Sequence, residues 1–79
     1  MDAIRWEGNV LYLLDQTKLP TVEQWLPYTD YRQVAHAIRT MVVRGAPAIG
    51  VSAAYAYCLA ALEGADLKQA AHLLANSRP

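Results

Sequence analysis

A single cysteine, Cys58, rules out an internal disulfide framework and fits a reducing compartment. Charge of either sign is not in excess: Lys+Arg and Asp+Glu each number 7, for a formal net charge of +0. Binding to nucleic acid or to an anionic membrane needs a basic patch or stripe, so neither partner is expected. The longest apolar stretch, residues 46–62, falls short of the 18 or so residues of a membrane span. It is also rich in alanine rather than leucine and carries a serine and two tyrosines. The opening Met-Asp-Ala-Ile-Arg-Trp-Glu lacks the basic start and apolar run of a secretory signal, so the expected location is cytoplasmic. His36 and His72 each stand without a second ligand at metal spacing, and neither is assigned a metal. There are no repeats, linkers or low-complexity tracts.

What is present is apolar and short. Residues 1–79 make one domain at most, and a core of that size is marginal without support. At 54% hydrophobic residues, the chain holds more apolar surface than such a domain comfortably hides. Apolar surface left for a partner, and hence self-association, is the expectation.

In chain order, the pattern predicts an α+β fold, with a small antiparallel sheet over residues 1–27 and a helical part over 30–79. Ile4 and Trp6 alternate with Arg5 and Glu7 as in a strand over residues 3–7. Gly8-Asn9 signals a two-residue hairpin turn into a return strand over 10–14 that is apolar on both faces. Asp15 at that strand's end reads as a carboxylate bonding nearby backbone more readily than as a chemical group. A third strand is expected over 22–26, closed off by Pro27.

Three helices should follow. Asp30 with Gln33, and Asp66 with Gln69, have capping-box spacing. Tyr31, Val34, Ala35, Ile38, Met41 and Val42 form one apolar stripe, with His36 on the exposed side. The central helix, about residues 47–63, has no polar face and should lie in the interior. Its small residues, including Gly50, would allow close approach by neighbours, and Cys58 would be an inert packing residue. Gly64 terminates it. Leu67, Ala70, Ala71 and Leu74 stripe the third helix.

The sequence is organised around Met41-Val42-Val43-Arg44-Gly45-Ala46-Pro47-Ala48-Ile49-Gly50. Pro47 suits the first turn of a helix, where its missing N–H costs nothing. Gly45 permits a tight turn just ahead of it. That leaves a helix N-terminus with unpaired N–H groups, a positive dipole end and an arginine beside it, which together suit an anion such as phosphate. Spacing alone is a weak signal, since neither a Walker loop nor a Gly-x-Gly-x-x-Gly fingerprint is present. The other reading is a turn into a buried helix, with Arg44 solvated or paired to a carboxylate.

This run, with Ala53-Ala54-Tyr55 after it, closely resembles the N-terminal segment of methylthioribose-1-phosphate isomerases. The likeness extends back to Leu14-Asp15-Gln16-Thr17 and forward to Ser77-Arg78-Pro79, nearly the whole chain. Ribose-1,5-bisphosphate isomerases and regulatory subunits of a translation-initiation nucleotide exchange factor belong to the same superfamily. The resemblance implies the isomerisation of 5-methylthioribose 1-phosphate to 5-methylthioribulose 1-phosphate in methionine salvage, with no cofactor and no metal. It matches Arg44, Gly45 and Ala46 to a substrate-binding loop, and Arg78 to a second binding arginine.

The family's catalytic cysteine and aspartate belong to a Rossmann-like C-terminal domain, and no segment here matches it. No catalytic residue is therefore assigned, and the chain alone is expected to be inactive. The expected partners are the sugar phosphate, that C-terminal domain and, because the family is commonly dimeric, a second copy. A non-catalytic regulatory or assembly domain of the same superfamily is the alternative. A sharp reversal at Gly64-Ala65 would return Arg78 toward the end of the helical layer that holds Arg44.

Overall fold

Gly8 and Asn9 both take positive φ, 55° and 62°, as a two-residue type I′ hairpin turn requires. They join β1 (Ile4–Glu7) to β2 (Val10–Leu14) in antiparallel register, Ile4 opposite Leu13 and Glu7 opposite Val10. The computed structural model from which this is taken describes residues 3–77. A third strand, β3 (Trp25–Tyr28), pairs with the other side of β2 and completes a sheet of order β1-β2-β3. This strand starts three residues later than the sequence suggests, and Pro27 lies inside it rather than beyond it. Proline is tolerated there because β3 is an edge strand, where a missing donor need not break a ladder. A single turn of 3-10 helix, Gln16–Lys18, opens the connection between β2 and β3.

The period-2 alternation sends Ile4, Trp6, Leu11, Leu13, Leu26 and Tyr28 to one face of the sheet. Leu11 and Leu13 are fully buried there, in one cluster with residues from all three helices. Trp6 stacks on Tyr55 with ring centroids 5.1 Å apart and planes within 14°, so β1 is tied directly to the central helix. On the opposite face, Arg5 sits 4.3 Å over the Trp25 ring. Arg5, Glu7, Tyr12 and Trp25 line a shallow concavity there.

The helices are α1 (Tyr31–Arg39), α2 (Ala46–Leu62) and α3 (Leu67–Ala75), each packed against the other two. Asp30 and Asp66 cap α1 and α3 by accepting from the backbone N–H of Arg32 (2.8 Å) and Lys68 (2.9 Å). The buried stripe of α1 is Tyr31, Val34, Ala35, Ala37 and Ile38.

Met41 does not extend that stripe. The helix closes at Thr40, and Met41 takes a left-handed φ of 67° with its side chain 44% exposed. Met41 N–H donates to Ile38 C=O and Val42 N–H to Ala37 C=O, the paired bonds of a Schellman motif. Gly64 closes α2 in the same way, at φ 72°, with Gly64 N–H on Ala61 C=O and Ala65 N–H on Ala60 C=O.

The central helix is only half interior. Ser52, Ala56, Leu59 and Ala60 are buried, whereas Val51, Tyr57, Cys58 and Leu62 are exposed. The expectation that α2 is buried all round, with Cys58 as a packing residue, is therefore corrected. Two further elements of the sheet and two helices cover one side of it, and Cys58 lies on the other. Gly50 does not mediate a close approach either, because a Cβ built there meets nothing within 4 Å. The small residues that are fully buried are instead Ser52, Ala56 and Ala60, spaced four residues apart on one ridge. In α3 the buried residues are Ala70 and Leu74, continued by Ser77, while Leu67 and Ala71 are exposed. The face that α3 buries is therefore narrower than its apolar pattern.

Candidate functional site

The N-terminus of α2 differs from those of α1 and α3. Its N-cap is Gly45, at φ 90° and ψ 136°, and no side chain caps it. Gly45 C=O accepts from Ile49 N–H at 3.0 Å, which starts the helical ladder, and Pro47 occupies the first turn. The N–H groups of Gly45, Ala46 and Ala48 precede any intrahelical acceptor and point out of the end of a 17-residue helix. Gly45, Ala46 and Pro47 are all exposed, so this end faces solvent.

Arg44 is exposed beside that end and takes part in no ion pair or side-chain hydrogen bond among the described residues. Arg44 is solvated rather than paired to a carboxylate among the described residues, which is compatible both with an anion site and with a plain turn into the helix. The guanidinium is free to meet a ligand, and the arrangement of one arginine and a bare helix N-terminus suits an oxyanion. Gly45 is needed for conformation rather than space: a Cβ would meet nothing within 4 Å, but φ 90° is a region that side-chain-bearing residues rarely adopt.

The structure brings together Arg44, Gly45 and Ala46. Arg78, and with it the expected convergence of two arginines, lies outside the described residues. Ser77 just before it is 1% exposed and donates its hydroxyl to Leu73 C=O at 2.7 Å. His36, His72 and Cys58 are exposed, and among the described residues no three of His, Cys, Asp and Glu come close enough to hold a metal ion. Among the described residues no helix is long and apolar enough to cross a membrane.

Sequence reasoning missed the link between the turn after β2 and the arginine loop. Asp15, 5% exposed, accepts from Thr17 N–H (2.9 Å) and from the Thr17 hydroxyl (2.6 Å). The Gln16 N–H then donates to Val42 C=O at 3.0 Å, two residues before Arg44. Asp-x-Thr is a recognisable turn signal, but nothing in it reveals which distant carbonyl the turn will meet.

Over 98% of its length the chain is 56% identical to the methylthioribose-1-phosphate isomerase of Pseudomonas syringae pv. syringae (strain B728a). Its likeness is to the methylthioribose-1-phosphate isomerases. It spans 24% of that relative, about a quarter of the full-length protein. Among solved structures, the 5-methylthioribose 1-phosphate isomerase from Pyrococcus horikoshii OT3 superposes with a TM-score of 0.87 at 31% identity, over 98% of this chain and 24% of that one. Translation initiation factor eIF-2B, subunit delta, from A. fulgidus gives a TM-score of 0.85 at 36% identity, over 100% of this chain and 26% of that one. No family model matches the chain.

Proposed function

We propose that this chain is the substrate-anchoring part of an aldose–ketose isomerase that converts 5-methylthioribose 1-phosphate to 5-methylthioribulose 1-phosphate in methionine salvage. The observation that carries the reading is the uncapped N-terminus of α2 beside the free Arg44, in a sequence 56% identical to a methylthioribose-1-phosphate isomerase. The reaction has a physical difficulty that anchoring addresses. C1 carries the phosphate, so no free aldehyde exists until the furanose ring opens. A hydrogen must then move between C1 and C2 while the phosphate stays fixed.

Arg44 and the N–H groups of Gly45 and Ala46 hold the phosphate in this reading, and Arg78 is a second anchor on the sugar or phosphate. The acid and base come from the C-terminal domain of the longer protein, so the chain alone does not turn substrate over. The exposed apolar side of α2 is covered in the assembled, cytoplasmic protein, and self-association of the chain through that side follows from its exposure. Sedimentation across a wide concentration range checks this; a monomer throughout would count against it.

The main test is a chimera in which this chain replaces its counterpart in the Pseudomonas syringae relative. Turnover should survive the exchange. Arg44→Ala should then lower it about 10- to 100-fold, the worth of one hydrogen-bonded charge, while Tm stays put. Arg44→Lys should recover only part, because a point charge lacks the guanidinium fork. Arg78→Ala, measured beside it, decides whether the second arginine stays in the site.

A second reading rests on the eIF-2B delta chain, which is the more identical of the two solved structures, 36% against 31%, although its TM-score is 0.85 against 0.87. There the chain would be a non-catalytic regulatory or assembly domain. A folded chimera without turnover, indifferent to Arg44→Ala, would support it.

A further inference from the structure

The proposed function leaves Asp15, Gln16 and Thr17 without a task, although the carboxylate is buried and both of its contacts are local. The segment they touch is the one that carries the arginine. Residues 42–44 lie between two positive-φ residues, Met41 at 67° and Gly45 at 90°. At one end Val42 is tied back to Ala37 by the Schellman bond, and Val43 is buried at 5% exposure. The outer contact is the Gln16 N–H on Val42 C=O, at 3.0 Å.

Gln16, which makes that contact, is the first residue of the 3-10 turn, and Asp15 caps the turn through Thr17. Asp15 N–H also donates to Gln24 C=O at 2.8 Å, which fixes the turn to the residue directly before β3. A chain of hydrogen bonds therefore runs from the sheet, through this turn, to the backbone two residues before Arg44.

We infer that the Asp15-Gln16-Thr17 turn is a positioning brace for the Arg44 loop, acting through the Gln16 N–H on Val42 C=O. None of the three needs to touch substrate. They set where the guanidinium and the N–H groups of α2 stand before the phosphate arrives, which reduces the ordering cost of binding. The inference rests on the phosphate-anchoring reading of Arg44, and its test separates the two.

The test substitution is Gln16→Pro, compared with Gln16→Ala. Gln16 is the first residue of the 3-10 turn, where proline is accommodated, and Asp15 before it has the extended φ −73° and ψ 103° that a residue preceding proline needs. Proline deletes the one N–H and leaves the rest of the turn; alanine deletes the side chain and keeps the N–H. The isotopically labelled chain would be titrated with inorganic phosphate, following the amide signals of Gly45, Ala46 and Ala48. Amide relaxation at residues 42–44 would be measured without ligand.

Gln16→Ala should bind phosphate as the parent does. Gln16→Pro should bind about fivefold more weakly, with faster motion at 42–44. Asp15→Ala should reproduce the loss. Asp15→Asn should restore it, because the turn needs an acceptor oxygen and not a charge. If Gln16→Pro unfolds the chain, the two Asp15 variants carry the comparison alone.

Unchanged motion and affinity in Gln16→Pro and Asp15→Ala, with Arg44→Ala still abolishing binding, would overturn the brace and leave the phosphate reading intact. Asp15→Asn as weak as Asp15→Ala would overturn it too, in favour of a role for charge. A parent chain that does not respond to phosphate would sink the phosphate reading itself. The relaxation at 42–44 would then show by itself whether the turn braces the loop.

Discussion

Among the described residues three α-helices begin, and the longest of them begins without a side-chain cap. The two nine-residue helices, α1 and α3, each place an aspartate at the N-cap, and each carboxylate accepts backbone N–H bonds from its own first turn. The 17-residue α2 has Gly45 instead, with no side-chain acceptor and an unpaired arginine next to it. A capping carboxylate fills the place that a bound anion would take. The short helices are closed to ligands by their own side chains, and α2 is kept open at some cost in stability. The capped helices use their first-turn side chains for folding, whereas α2 leaves open the end that the phosphate-anchoring proposal uses.

Giving α2 the cap its neighbours have should break the comparison most severely. Gly45→Asp puts a negative charge where phosphate would sit and forces a side chain into φ 90°. Phosphate binding should disappear, and stability should fall by about 1–3 kcal/mol from backbone strain. Gly45→Ala separates the two effects, since it carries the strain without the charge. Retained phosphate affinity in Gly45→Asp would mean that the anion binds elsewhere.

The opposite change, removing a cap, is next in size. Asp30→Ala should cost about 1 kcal/mol in chemical denaturation, and Arg44-dependent binding should be untouched. Asp30 also predicts a pH dependence. Its carboxyl is held below the ordinary 3.8, first by the hydrogen bond from Arg32 N–H and further by the Arg32 guanidinium, with desolvation opposing. The unfolded chain therefore takes up the proton first. The contribution is complete above the unfolded value near 3.8 and is lost as pH falls through the lower folded value. The acid-side loss of stability should be shallower in Asp30→Asn, measured by denaturation between pH 2 and about 6.

These caps show what could be read in advance. Asp30, Asp66, Gly64 and the Gly8-Asn9 turn act locally, through acceptors or φ preferences belonging to the residue itself, so their places were legible. The three-strand sheet and three helices followed from them. Two kinds of feature were not legible. Which side of α2 is covered depends on how sheet and helices assemble, and an apolar-all-round helix carries no pattern to say so; Cys58 was misplaced for that reason. Likewise Pro27 reads as a strand terminator until the strand is known to be an edge. At the site, Pro47 marks the start of α2 in the sequence, but Arg44, Gly45 and Ala46 are site candidates through the resemblance to the isomerases' substrate-binding loop, since spacing alone is a weak signal. The Gln16 contact on Val42 joins residues 26 positions apart and leaves no sequence signal.

The C-terminal ends offer a finer comparison. α1 and α2 close with the same paired hydrogen bonds, but the left-handed residue is Met41 in one and Gly64 in the other. Met41→Gly should stabilise the chain by roughly 0.5–1 kcal/mol, as relief of left-handed strain outweighs glycine's greater unfolded-state freedom. Gly64→Ala should destabilise it by a similar amount. If Met41→Gly instead lowers phosphate affinity while raising Tm, the exposed methionine side chain is retained for the site.

The smallest effect concerns the buried side of α2. Ser52 is fully buried, and its hydroxyl has no hydrogen-bond partner among the described residues. It lies on the same ridge as Ala56 and Ala60, where alanine is evidently accommodated. Burying an unpaired hydroxyl is unfavourable, whereas Ser→Ala removes one small atom and leaves the ridge nearly the same shape. Ser52→Ala should therefore leave stability unchanged or raise it by up to about 1 kcal/mol, read from the midpoint of urea unfolding. Alanine is also the stronger helix former, which acts in the same direction. Destabilisation would mean that the hydroxyl bonds back to a carbonyl one turn earlier, near the open N-terminus. The buried and open ends of α2 would then be coupled through its own first turns.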